Sequence, residues 1–281
     1  MPDNPDMAEG LDDARFALFA AAVREAGELT MAHFRNGARI AGRIEWKVGN
    51  SPVTEVDLAV DRLLQDRLSA LLPEAGWLSE ETADTPARLS RRLVLVVDPI
   101  DGTRAFMEGD PRFAVSVALV LDGRPVAAVL DAPALDHIYT ARLGQGAFLN
   151  GRRIAAGAAT GGQAVKLAGP KFLIDPVARD LDMVTQPKVP SLALRFAQVA
   201  AGDFDVAVAS TNAHDWDIAA ADLILTEAGA RLRTLDDEEP VYNRAETKHG
   251  ILVATTDPFL APVRNALAEV TATWRNKGFT T

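Results

Sequence analysis

The sequence predicts a layered fold of the α+β and α/β classes, with a helical lead and a mostly antiparallel sheet followed by alternating strands and helices. Three observations point there. Two stretches of helical period open the chain, short apolar runs separated by turn signals fill its middle, and beyond about residue 155 strand-like and helical segments take turns.

Leu18, Phe19, Ala22, Val23, Ala26 and Leu29 recur at helical spacing within residues 11–36, and Gly37 stops the pattern. Leu58, Val60, Leu63, Leu64, Leu68 and Leu71 repeat it over 57–72, where Pro73 ends it. Residues 93–97 are five apolar side chains in a row, which fits a strand buried on both faces. That strand is expected to end at Asp98 and Pro99, because proline has no N–H to give to a ladder. Residues 113–121 and 126–130 read as the next strands around the turn Asp122 and Gly123. Strands at 137–141 and 147–149 follow, with Asn150 and Gly151 as a second turn. Past a segment rich in small residues at 155–162, strands are expected at 165–168, 204–209 and 251–254, and helices at 191–201 and 218–228. A last helix is capped by Asp257 and opened by Pro258. The expected division is 1–155 and 156–281.

The 281 residues suffice for one large or two modest domains with a substantial core. Lys and Arg number 29 against 39 Asp and Glu, a net charge of −10. That balance argues against gripping a nucleic-acid polymer or an anionic membrane, since both need a cationic face. The absence of cysteine excludes disulfides, thiolate zinc sites and cysteine nucleophiles. The acidic N-terminus has neither a basic nor an apolar leader region, and no apolar run spans a bilayer, so a cytoplasmic protein is expected.

Residues 93–106 (LVLVVDPIDGTRAF) carry the most chemistry. A buried strand delivers Asp98, Pro99 turns the chain, Asp101 follows, and Gly102 and Thr103 open what can be a short helix. Two carboxylates on one turn, with exposed amides behind them, suit a hard cation beside a phosphate. The same residues can also be an ordinary capped turn. Glu80 and Glu81, Asp217 in the run Asp215-Trp216-Asp217, and Asp57 after the loop 47–56 each have two readings as well: ligands on one side, a solvated loop or helix caps on the other. No phosphate-binding loop of the G-x-x-x-x-G-K type occurs. Of the scattered His33, His137, His214 and His249, His214 either lines the pocket or plays an ordinary polar part. Lys47 either faces a phosphate or sits on a solvated loop, and Arg104 and Arg112 are expected at the surface.

Taken together, D-P-I-D-G-T at 98–103, W-D-I-A-A at 216–220 leading to E-A-G at 227–229, S-P-V-T-E-V-D at 51–57, the Glu80–Glu81 pair and G-A-F-L-N-G at 146–151 resemble the inositol monophosphatase superfamily of magnesium-dependent, lithium-sensitive phosphatases. The resemblance runs from about Leu11 to the C-terminus and implies a layered αβαβα sandwich. It implies that Glu80, Asp98, Asp101, Asp217 and the Ile100 carbonyl ligate Mg²⁺, that Asp57 serves an additional ion, and that two to three ions bind. Thr103, partnered by Glu80, would hold and help deprotonate the attacking water, while the amides of Gly102 and Thr103 seat the phosphate. Lys47, Asp217 and Ser210 are the further substrate-side candidates.

The partner implied is a small phosphorylated metabolite, with no nucleic-acid polymer and no membrane, and a homodimer is left open. Inositol monophosphatases proper carry a Glu seven residues before the W-D aspartate, and counting back from Asp217 reaches Ser210. Residues 190–195 and 242–244 look more like bacterial 3′(2′),5′-bisphosphate nucleotidases. The expectation is therefore hydrolysis of 3′-phosphoadenosine 5′-phosphate. Inositol 1-phosphate is the alternative substrate, and a non-catalytic metal-binding regulator the alternative of another class.

Overall fold

The computed structural model of the chain describes residues 11–39, 44–46, 52–157 and 164–276. Helix α1 (Asp13–His33) is capped by the Asp12 carboxylate, which accepts the Arg15 amide at 2.7 Å. Strands β1 (Ile44–Trp46) and β2 (Pro52–Thr54) form an antiparallel ribbon that leads into α2 (Glu55–Leu71).

A seven-stranded sheet follows in sequential order: β3 (Gly76–Ser79), β4 (Leu93–Asp101), β5 (Ala114–Leu121), β6 (Arg124–Ala132), β7 (His137–Arg142), β8 (Gly146–Leu149) and β9 (Arg152–Ile154), with α3 (Thr103–Glu108) between β4 and β5. Only the β3–β4 pair is parallel. The rest of the chain is β10 (Lys166–Ala168), α4 (Lys171–Asp180), β11 (Val184–Thr185), α5 (Leu192–Ala200), β12 (Val206–Ala209), α6 (Asp215–Glu227), β13 (Arg231–Thr234), β14 (Leu252–Thr255) and α7 (Asp257–Asn276). Its five strands lie in the order β11-β10-β12-β14-β13.

Side-chain alternation stacks these elements into five layers. Along β5, Val115, Val117 and Leu119 face one core with Phe19, Val23, Leu64 and Leu68 of α1 and α2. Ala114, Ala118 and Val120 face the other, with α5 and α6. Small residues on both partners, Ala114, Ala118 and Ala128 on the sheet and Ala219, Ala220 and Ala221 on α6, let helix and sheet approach closely. Beyond α5 and α6 lies the second sheet, whose outer face packs Leu167, Val206 and Val253 on Leu173 and Val177 of α4 and Val263 and Leu267 of α7. The result is an αβαβα sandwich. Each fully buried Leu or Val contributes about 1.5–3 kcal/mol, so the layers cohere through their apolar faces.

The structure corrects several expectations. Strand β4 does not stop at Asp98. It continues through Pro99 to Asp101, with Asp98 opposite Ser116, Asp101 opposite Ala114 and a bulge between. On its other side β3 pairs only as far as Val97, so the missing proline N–H breaks no ladder. Helix α4 is absent from the sequence reading because Pro176 lies inside it, and β13 because Arg231 and Arg233 alternate with one buried residue, Leu232. Asp257 is the first residue of α7 rather than the cap before it.

Candidate active site

The parallel pair β3–β4 positions the first acids. Both strands end at the same edge of the sheet, the place where open sheets bind ligands; Asp98 stands there in the β4 bulge, and Glu80 directly follows β3, its amide donating to the Val97 carbonyl at 3.2 Å. Asp217 arrives from the first turn of α6, in the layer below. Carboxylate oxygens of Asp98, Asp101 and Asp217 lie within 4.8 Å of one another.

Hydrogen bonds from neighbouring residues hold each carboxylate in place. Asp98 Oδ1 accepts the Ile100 amide at 3.0 Å, while its buried Oδ2 has no hydrogen-bond partner among the described residues. Asp101 Oδ2 accepts the Ser191 hydroxyl and the Ala193 amide, both at 2.6 Å, from the N-terminus of α5. Asp217, third residue of α6, reaches back to accept the His214 amide at 2.6 Å with one oxygen. Asp57 does the same in α2, where its Oδ2 accepts the Thr54 amide at 2.9 Å and hydroxyl at 2.5 Å. The two capping readings are thus partly realised: Thr54 and His214 are the caps, and the acids three residues on return to them.

Thr103 Oγ1 lies 3.1 Å from Asp57 Oδ1 and 3.0 Å from the Ile100 carbonyl, so its single proton can go to either. Gly102 adopts a φ of 92°, and a Cβ there would lie 3.3 Å from the Ser191 amide nitrogen, which makes glycine the fitting residue where β4 meets α5.

Electrostatics show what the group lacks. Burial pushes the Asp98 carboxyl well above the usual carboxylate range, and the charges of Glu80, Asp101, Asp217 and Glu81 push it further. Asp217 is raised likewise, by burial and then by Asp101. Asp101 rises only to about 6, because the hydrogen bonds from Ser191 and Ala193 and the nearby Arg195 offset its burial. Asp57, raised by burial, also reaches about 6 against the hydrogen bonds of Thr54 and Thr103. Crowded, buried carboxylates with an orphaned oxygen are costly without a cation among them. An all-oxygen donor set suits a hard divalent ion such as Mg²⁺, so the residues fit that metal.

Ser210 is half-buried just past β12. Lys47 lies outside the described residues. His214 stacks on Trp216, ring centroids 4.7 Å apart, and pairs with the Thr247 hydroxyl at 2.9 Å. Arg112 pairs with Asp110. Tyr242 and Asn243 serve the interior, the first donating to Asp222 at 2.8 Å and the second, through its amide, to Asp215 at 2.9 Å.

Sequence reasoning singled out residues 190–195 without their structural part: Ser191 and the Ala193 amide hold Asp101, and the buried guanidinium of Arg195 donates to the Val189 and Val208 carbonyls. It also missed Asp61, which accepts the Ser79 and Thr82 hydroxyls on either side of Glu80 and Glu81. The start of a helix at Ser191 was visible; that it clasps an acid 90 residues away was not.

The sequence profile of the inositol monophosphatase family matches residues 11–272. The histidinol-phosphatase of Chlorobaculum parvum is 33% identical over 216 residues, 74% of this chain and 80% of that protein. The 3′(2′),5′-bisphosphate nucleotidase CysQ of Aggregatibacter actinomycetemcomitans is 31% identical over 244 residues, 80% and 86% of the two chains. Among solved structures, the IMPase of Thermotoga maritima superposes with a TM-score of 0.79 at 28% identity, covering 94% of this chain and 99% of that one. The chain belongs to the inositol monophosphatase family, magnesium-dependent phosphatases that hydrolyse phosphomonoesters.

Proposed function

We propose that this protein is a cytoplasmic 3′(2′),5′-bisphosphate nucleotidase that prefers 3′-phosphoadenosine 5′-phosphate and turns over inositol 1-phosphate more slowly. The observation that carries its chemistry is the convergence of Asp98, Asp101 and Asp217, with an Asp98 oxygen that no described residue partners. These three would hold magnesium with Glu80 and the Ile100 carbonyl, and Asp57 would serve an additional ion, two to three in all. Bound there, magnesium supplies Lewis-acid activation of water and neutralises charge that develops on the phosphate. Thr103, its hydroxyl between Asp57 and the Ile100 carbonyl, orients the attacking water with Glu80 as the accepting partner. The amides of Gly102 and Thr103 seat the phosphate. Residues 1–155 thus contribute Asp57, Glu80, Asp98, Asp101 and Thr103, and residues 156–281 contribute Asp217. Lithium inhibits by competing for a magnesium position.

The substrate preference rests on Ser210, a hydroxyl where inositol monophosphatases proper carry an acid. A site without that acceptor loses discrimination for polyol hydroxyls. The test is kcat/KM for 3′-phosphoadenosine 5′-phosphate, inositol 1-phosphate and histidinol phosphate at equal Mg²⁺. The nucleotide is expected to lead. A higher value for either of the others would overturn the preference while leaving the phosphatase chemistry intact.

A further inference from the structure

Between α1 and the turn joining β6 to β7 runs a groove of about 1050 Å³ that none of the active-site acids lines. On its floor lies Asp131, 7% exposed, near the end of β6. Gly27 of α1 lets the carboxyl in, since a Cβ there would stand 2.1 Å from Asp131 Oδ2. No described residue donates a hydrogen bond to it; its electrostatic neighbours are Arg24, exposed on α1, and the acids Glu28 and Asp136. Burial raises this carboxyl to about 7. Above that pH the groove therefore holds an ionised acid to which no described residue donates, in a setting where an unpaired charge is costly.

We propose that this groove binds a small organic ammonium, a protonated primary alkylamine. Its N–H groups would meet Asp131, and its alkyl body would run along Ala17, Ala20 and Ile138, which line the same groove. An ammonium brings three donors to a carboxylate that has none among the described residues, and its charge matches a lining in which Asp131, Glu28 and Asp136 outnumber Arg24. The same excess of acids repels phosphate, so the groove is no second seat for the phosphorylated substrate. An inorganic cation fits less well: among the described residues, three metal-ligating side chains come together only at Asp98, Asp101 and Asp217. The apolar wall, which an inorganic ion leaves unused, is what an alkylamine needs.

Butylammonium, titrated into the full chain by calorimetry about one unit above the Asp131 value of about 7, tests the proposal, with butanol as the uncharged control. Saturable binding of butylammonium is expected, with butanol giving none. Asp131→Asn, which keeps shape and removes charge, should weaken it about tenfold or more. Ala21→Phe, at an exposed position on the groove wall, should weaken it while leaving Asp131 in place. Absence of a saturable signal, equal binding of butanol, or unchanged affinity in Asp131→Asn would each overturn the proposal. Circular dichroism of both variants establishes that they fold.

Discussion

Asp57 and Asp61 stand one helical turn apart on α2, and each carboxylate fastens a different part of the site. Asp57 Oδ1 lies 3.1 Å from the Thr103 hydroxyl at the start of α3. Asp61 accepts the hydroxyls of Ser79 and Thr82, each at 2.5 Å and on separate oxygens, so the loop bearing Glu80 and Glu81 is tied to the helix at both ends. Helix α2, buried against the sheet through Val60, Leu64 and Leu68, thereby sets the positions of the β3 loop and of α3 together.

Asp61→Ala should consequently loosen Glu80 without touching it. The half-saturating Mg²⁺ concentration for phosphate release should rise about 10–100-fold. Stability should fall by about 2–3 kcal/mol, because two inward hydroxyls lose their acceptor. Asp61→Asn retains one acceptor oxygen and should recover part of both losses. A variant with lower Tm but an unchanged Mg²⁺ requirement would reduce Asp61 to a structural role.

Magnesium and stability should be linked through Asp98. In excess chelator the wild type is expected to lose activity and also to melt at a lower temperature, since the cation that offsets repulsion among Asp98, Asp101 and Asp217 is gone. Asp98→Asn removes one buried charge. It should therefore melt at or above the wild-type temperature in chelator, gain little from Mg²⁺, and lose activity by about a thousandfold or more. Calorimetric scans with and without Mg²⁺ measure both halves. Equal Mg²⁺-induced shifts in the two proteins would remove Asp98 from the metal's ligands.

The layers were legible where periodicity reports burial. The near-continuous apolar runs at 93–97 and 114–121 announce strands buried on both faces, and the structure has helices on both. What failed were local rules overridden by tertiary context. Pro99 is tolerated in β4 because β3 has already ended beside it, and Pro176 is accommodated within α4, whose Leu173, Ile174 and Val177 are buried. At the site, acids in distinctive segments were readable one by one. Their supports were not, because Ser191 meets Asp101, and Asp61 meets Ser79 and Thr82, only after the chain has folded.

Asp222 gives the protein a pH-dependent stability distinct from its catalysis. Burial raises its carboxyl from 3.8 to about 7, against the hydrogen bond from Tyr242. The folded state holds this proton more tightly than the unfolded chain does. The contribution is complete below pH 3.8 and is lost as pH rises towards about 7, above which it is level. The loss is on the order of 4 kcal/mol at most. Asp222→Asn keeps an acceptor for the Tyr242 hydroxyl and has no proton to lose. It should be more stable than wild type at about pH 8, and that advantage should vanish towards about pH 4 in urea titrations. An advantage independent of pH would assign the gain to something other than ionisation.

Gly27 and Asp131 should couple with a change of sign. In an open helix, replacing Gly by Ala stabilises by about 1 kcal/mol. In α1 the new Cβ would stand 2.1 Å from Asp131 Oδ2 and 3.0 Å from its Cγ, so the carboxyl or the helix must shift. Such overpacking costs about 1–3 kcal/mol, and Gly27→Ala is expected to be net destabilising despite the better helix former. In an Asp131→Ala background the obstacle is gone, Pro133 Cβ remaining at an ordinary 3.4 Å, and the same change should stabilise by about 1 kcal/mol. The double-mutant cycle, read by denaturant unfolding, should therefore show a coupling of about 2 kcal/mol. If Gly27→Ala stabilises both backgrounds alike, the glycine is not there to admit the carboxyl, and the approach of Asp131 to α1 places no constraint on that position.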